Sequence, residues 1–250
     1  MGMKNFSKAK GFTLIEIIFA LFIGALLMSA IYLTMISGQR SSMGLERKVA
    51  AQQDVRGALE IMAMEIGMAS YNPNFAPAGI WRNPPTVSPP CTGVSANQGG
   101  KGIQEATPTS LTVEMDIGES SNIGDNANEI IRYAYNVGNQ FISRNTNCGG
   151  GQPFLGANPA TAPPGTRTVR VINNTLGINN GVGVPAIFRY YDARSPAIEL
   201  YPDTNPNQIP DIRRIDITLA VETDEVDPST QQRRKMIYLT SVLLKNHAID

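Results

Sequence analysis

The sequence predicts an α+β protein, with a long N-terminal helix laid on antiparallel β-sheet. Three observations carry this. No proline occurs between Met3 and Asn72, and apolar residues there first run unbroken, then recur at three- and four-residue steps. Beyond Tyr71 the apolar period becomes two. The 17 prolines and most of the 23 glycines fall after position 72, which suits short strands joined by loops.

The chain opens with a short basic leader, residues 1–11, holding Lys4, Lys8 and Lys10. An apolar run follows from Phe12 to Ile36. These 25 residues make about 37 Å of helix, enough to cross a bilayer. The lysines ahead of the span place the leader in the cytoplasm and everything after Ile36 outside it.

One charge interrupts the run, Glu16. A carboxylate inside a membrane helix costs about 2.5–3.5 kcal/mol, so it is rarely there without a use. Cleavage between Gly11 and Phe12 would leave a charged amino group one turn from Glu16. A secretory signal peptide is the first competing reading. Its cleavage site would fall near Ala30, but Met28 stands where a small residue is wanted, and the run continues to Ile36. A plain signal anchor is the second, and it leaves the cost of Glu16 unexplained.

Gly11, Phe12, Thr13, Leu14 and Glu16, read as GFTLIE after a basic leader, resemble the processing site of type IV prepilins and type II secretion pseudopilins. The resemblance implies cutting after Gly11 and N-methylation of Phe12 by a membrane peptidase/methylase. It also implies that Glu16 pairs with the amino group of a neighbouring subunit during assembly.

The helix continues past the membrane over residues 37–71. Ala51, Val55, Ala58, Leu59, Met62, Ile66 and Ala69 lie on one face, while Arg47, Lys48, Asp54, Arg56, Glu60 and Glu65 mostly populate the others. Such a half needs a surface to pack on. Gly24, Gly38, Gly44, Gly57 and Gly67 are points where bends are tolerated. Ala20 and Gly24 form a small-xxx-small pair that allows close helix approach.

Residues 72–250 form the expected β-rich head. Asn72–Gly102 reads as a long loop with Pro73, Pro77, Pro84, Pro85, Pro89 and Pro90. Strands are expected at Ser110–Asp116, Glu129–Val137, Gln140–Arg144, Arg167–Asn173 and Ala186–Tyr191. Ile215, Ile217, Leu219 and Val221 alternate with polar neighbours as a half-buried strand. Met236–Lys245 would close a long hairpin with it across the polar stretch Thr223–Arg234, whose Asp224, Glu225 and Asp227 read as a solvated cluster. One sheet with one apolar face would cover the helix. Residues 56–71, FRYYD at 188–192, residues 213–228 and LTSVLLKN at 239–246 resemble PilW-type minor pilins and J-type pseudopilins. That family fold is likewise a long helix on an antiparallel sheet. The lack of a mid-membrane proline departs from major pilins.

Cys91 and Cys148 both lie outside the membrane, and the oxidising compartment favours a disulfide between them, worth about 4 kcal/mol. Two cysteines without nearby histidines make no zinc site. Asp203, Asn205, Asn207 and Asp211 have calcium-loop character, but Gln208 stands where glycine is wanted, and a turn-rich connection is the expected reading. Tyr190, Tyr191 and Tyr201 read as sheet packing.

Charge is balanced, with 21 basic and 21 acidic residues, so nucleic acid is not an expected partner. Arg213, Arg214, Arg233, Arg234 and Lys235 would have to gather at the hairpin to make a basic face, and acids lie between them. No nucleophile elbow or phosphate loop appears. His247, the one histidine, is expected to be solvated near the C-terminus. No enzyme is expected.

The resemblance implies a minor pilin of a type IV pilus, low in copy and acting in initiation or at the tip. A J-like pseudopilin is the nearest alternative, and a DNA-uptake or adhesion receptor on the same scaffold is a further one. Implied partners are other major and minor pilins, the peptidase/methylase and an inner-membrane assembly platform. The implied location is the inner membrane, with the head in the periplasm, and then the extracellular pilus.

Overall fold

Helix α1 (Leu14–Gly67) is 54 residues long, about 80 Å end to end. The computed structural model describes residues 11–75, 80–81, 101–162, 167–173 and 186–248. From Leu14 to Met43 only Ile36 is even half-buried; the first buried position is Gly44. From Ala51 onward one side chain per turn is buried, at Ala51, Val55, Ala58, Leu59, Met62 and Ile66. The helix stops at Gly67, and the backbone then turns through Ser70 at φ 63°.

The head holds two five-stranded antiparallel sheets where a single sheet was expected. The first is a meander in chain order: β1 (Ile103–Ala106), β2 (Ser110–Glu114), β3 (Ile130–Asn136), β4 (Phe141–Thr146) and β5 (Gln152–Leu155). The second contains β6 (Val169–Val171), β7 (Phe188–Tyr191), β8 (Glu199–Leu200), β9 (Arg214–Thr223) and β10 (Lys235–Leu243). Its order is β10-β9-β7-β8, and β6 also pairs with β9. The expected hairpin is β9–β10, with nine consecutive pairs from Lys235 opposite Glu222 to Leu243 opposite Arg214.

The core lies where the helix stripe meets both sheets. Val55, Met62 and Ile66 share it with Leu111, Ile131, Tyr133, Ile142, Ile215, Ile217 and Leu219. Each such side chain contributes about 1.5–3 kcal/mol of burial. A smaller cluster joins Ile80, Trp81, Ile123, Ile130 and Cys148.

Strands β1, β5 and β8 were not anticipated, and each lacks alternation for a physical reason. All four residues of β1 are buried, including Glu105, because Arg132 neutralises that carboxylate through two bonds at 2.7 and 3.0 Å. β5 contains Pro153, which only a sheet edge tolerates. β8 has two residues.

Candidate processing and assembly site

Thr13 is the N-cap of α1, with extended backbone at φ −79° and ψ 152°. The first turn of any helix leaves backbone N–H groups without partners. Here Thr13 and Glu16 satisfy two of them reciprocally. The Glu16 N–H donates to Thr13 Oγ1 at 3.4 Å. Glu16 Oε2 accepts from the Thr13 N–H at 2.8 Å and from its hydroxyl at 2.9 Å. This capping box is why the helix begins at Leu14.

Gly11 and Phe12 therefore stand outside the helix, and the Phe12 ring is 86 % exposed. A side chain at Gly11 would meet no atom within 4 Å, and its backbone is not in the left-handed region. Nothing in the chain's own packing requires glycine there. The structure thus places Gly11, Phe12 and Glu16 within two turns of one helix end. Sequence reasoning missed Thr13 as the residue that orients Glu16, although the Thr-x-x-Glu spacing was its signal.

Along its packed half α1 is tied to the head by polar contacts from residues that periodicity had assigned to the other faces. Arg47 reaches Glu225 at 2.5 Å and the Val226 carbonyl at 3.0 Å. Asp54 accepts from the Thr168 hydroxyl. Glu65 accepts from Arg144 at 2.6 and 3.0 Å and from the Tyr133 hydroxyl. Burial, and then Glu65 beside it, push the Tyr133 phenol well above its ordinary value.

The hairpin-turn acids are not a merely solvated cluster. Asp224 pairs with Arg170 at 2.5 Å. Asp227 is 4 % exposed, bonded to Ser229 and to Arg234 at 2.6 Å. Ser229's hydroxyl and N–H, then the Arg234 guanidinium, hold the Asp227 carboxyl well below the usual range. A Cβ at Gly44 would lie 3.0 Å from Asp227 Oδ1, so the Asp227 carboxylate would have to shift by a few tenths of an ångström to admit a side chain there.

His247 is buried, not solvated. The 3-10 turn Asn246–Ala248 tucks it under the head, with Nδ1 2.7 Å from Ser70 Oγ and 2.9 Å from the Lys101 carbonyl, and Nε2 3.0 Å from the Ile209 carbonyl. Burial lowers its pKa against the raising effect of the two carbonyls. The arginines do not gather. The register puts Arg213 and Arg214 at one end of the hairpin and Arg233, Arg234 and Lys235 at the other, about 27 Å apart.

Arg214 stacks 4.2 Å over the Tyr191 ring and pairs with Asp216, while Arg213 donates to the Pro210 carbonyl. Tyr190 is buried and donates to the Thr107 carbonyl; Tyr201 is exposed. Residues Pro206–Asp211 of the candidate calcium segment form a 3-10 turn, closed by Gln208 accepting from the Tyr201 N–H. Among the described residues no group of three His, Cys, Asp or Glu is placed to hold a metal. Cys148 is buried and is not a free thiol, but Cys91 lies outside the described residues, so their pairing remains a proposal.

Residues 6–32 match the family model of the prokaryotic N-terminal methylation motif. The chain carries the N-terminal signal of type IV pilin-like proteins. The motif and the naked apolar helix fit membrane anchoring. No curated protein and no solved structure matches the chain.

Proposed function

We propose that this chain is a minor pilin, a non-enzymatic subunit of a type IV pilus, low in copy and acting in initiation or at the tip. Its peptidase/methylase would cut between Gly11 and Phe12 and methylate Phe12. The observation that carries the reading is the join of an exposed Gly11–Phe12 junction, a capped Glu16 and thirty residues of helix that bury almost nothing. Such a helix is stable only in lipid or among other helices. Both Glu16 bonds fall on Oε2, which leaves Oε1 for the new amino group of a neighbouring subunit. The reading places the head in the periplasm before assembly and bridges Cys91 to Cys148.

Low copy follows from the head. It is large, and the sequence between Asn72 and Gly102, most of which lies outside the described residues, holds six prolines. In a helical fibre every repeated head must fit identical neighbours, because a heterologous contact propagates. Deletion is expected to abolish or reduce surface filaments, while sheared filaments contain far less of this chain than of the main subunit. Quantitative mass spectrometry is the test. Near-equal abundance overturns the low-copy reading, and lost secretion with normal filaments assigns the chain to a type II pseudopilus.

A further inference from the structure

Strand β10 is an edge that nothing in the described chain covers. The Arg234 carbonyl accepts from the Thr223 N–H, and the Leu244 N–H donates to the Arg213 carbonyl. Both even-numbered ends thus bond toward β9. Backbone direction alternates along a strand, so odd-numbered residues turn their N–H and C=O groups away from β9. Lys235, Ile237, Leu239, Ser241 and Leu243 therefore present a row of unpaired donors and acceptors. Their side chains share the outer face, where Ile237 and Leu239 are each 67 % exposed and Leu243 is 64 % exposed. Proteins usually blunt such an edge with a proline, a bulge or several charges. β10 has no proline, its pairing with β9 shows no bulge, and its one charge is Lys235 at the lower end.

We propose that β10 is a docking edge for an extended segment of a different polypeptide, which adds to the sheet as a further strand. Unpaired backbone groups specify a strand, and the Ile237–Leu239–Leu243 row asks for apolar side chains at alternate positions. A complementary acid belongs near Lys235. A second copy of this chain does not fit.

The exclusion of a second copy rests on the membrane-anchored reading above. Asp227 packs at Gly44 and Val242 at Gly67, so β10 runs outward along the helix. Antiparallel pairing of two β10 strands would turn one anchored chain upside down. Parallel pairing about an axis along the strands would put the two apolar rows on opposite faces and cover neither. Among the described residues the other sheet edges are β1 and β5, with four residues each, β6, with three, and β8, with two. None spans β10.

The test uses the full chain in detergent micelles and a synthetic nonapeptide with the β10 sequence itself. Free of any membrane, this probe can pair antiparallel, with Leu239 opposite Leu239. Residue-resolved hydrogen exchange is the readout. At saturating peptide the amides of Ile237, Leu239 and Ser241 are expected to slow by about tenfold, as an exposed amide does when it gains a partner. The amides of Tyr238 and Thr240, already bonded to β9, are expected to be unchanged.

Leu239→Lys and Ile237→Lys, both at exposed positions, are expected to abolish the slowing while leaving the even-numbered amides protected. The proposal is overturned if the odd-numbered amides are protected before peptide is added, or if peptide protects none of them. It is also overturned if the chain in lipid nanodiscs is a dimer that Leu239→Lys dissolves. The peptide arm needs no membrane, so its failure is distinguishable from failure of the processing reading.

Discussion

The two halves of α1 share one backbone and answer to different surroundings. From Leu14 to Met43 apolar side chains point in every direction and almost none is buried. From Gly44 to Gly67 a single stripe is buried, and Arg47, Asp54 and Glu65 on the flanks are bonded to the head. The difference shows what each half was shaped by. The outer half is fixed by contacts within the chain. The inner half buries almost nothing within the described chain, and under the proposed function its residues answer to lipid, to the processing enzyme and to neighbouring helices.

The sharpest break in that comparison is at the junction. Gly11→Val is structurally neutral within the chain, since a side chain there meets nothing within 4 Å. Complete loss of processing is nevertheless expected, with a membrane-bound precursor as the only species. Mass spectrometry of the N-terminus checks this; a mature chain starting anywhere but Phe12 defeats the reading. Glu16→Leu removes half of the capping box and the membrane charge. Cleavage is expected to stay normal while incorporation into filaments is lost, as scored by immunoblots of sheared fibres.

The stability of the head should separate the halves next. Met62 has no exposed surface, and Met62→Ala is expected to cost about 2–5 kcal/mol in urea unfolding followed by tryptophan fluorescence. Leu21, 69 % exposed, should give no measurable change on the same assay. Equal effects would mean that the inner half packs on the head after all. Gly44→Val tests the boundary between them. The new side chain must displace the Asp227 carboxylate from 3.0 Å, and a cost of about 1–3 kcal/mol is expected.

The same contrast explains what was legible in the sequence. The helix, its apolar stripe and the β9–β10 hairpin were readable because period and length are local properties. The N-terminal methylation motif was readable because its spacing is local too. Strand β1 was not, because its buried Glu105 depends on Arg132, a strand away in space and 27 residues along the chain. The roles of Glu65 and Asp54 were hidden for the same reason: their partners Arg144 and Thr168 come from the distant sheets. β10 was expected as a strand, but its exposure could not be read from its sequence. It carries apolar residues on both faces, yet only one face meets the core.

The smallest expected effect concerns His247, where a local rule for chain ends failed. Its ring sits between Ser70, in the turn after α1, the Lys101 carbonyl and the Ile209 carbonyl, so the C-terminal turn depends on it. Lys101 and Arg213 add unfavourable charge to the protonated ring, after the larger effect of burial. The folded pKa thus lies below the unfolded value of about 6.5. With the folded pKa depressed, the unfolded chain binds the extra proton first as pH falls. Stability from the neutral ring is therefore complete above about pH 6.5 and declines below it until the folded pKa is reached. The midpoint of thermal unfolding of the head is expected to drop between pH 7 and pH 5 in the wild type. His247→Gln, which keeps a side-chain donor and cannot titrate, should flatten that slope. A variant that retains the full wild-type slope would show that the acid sensitivity between pH 7 and pH 5 does not come from this ring; the Asp227 carboxyl, held below the usual range, loses its contribution only at lower pH and cannot supply that slope.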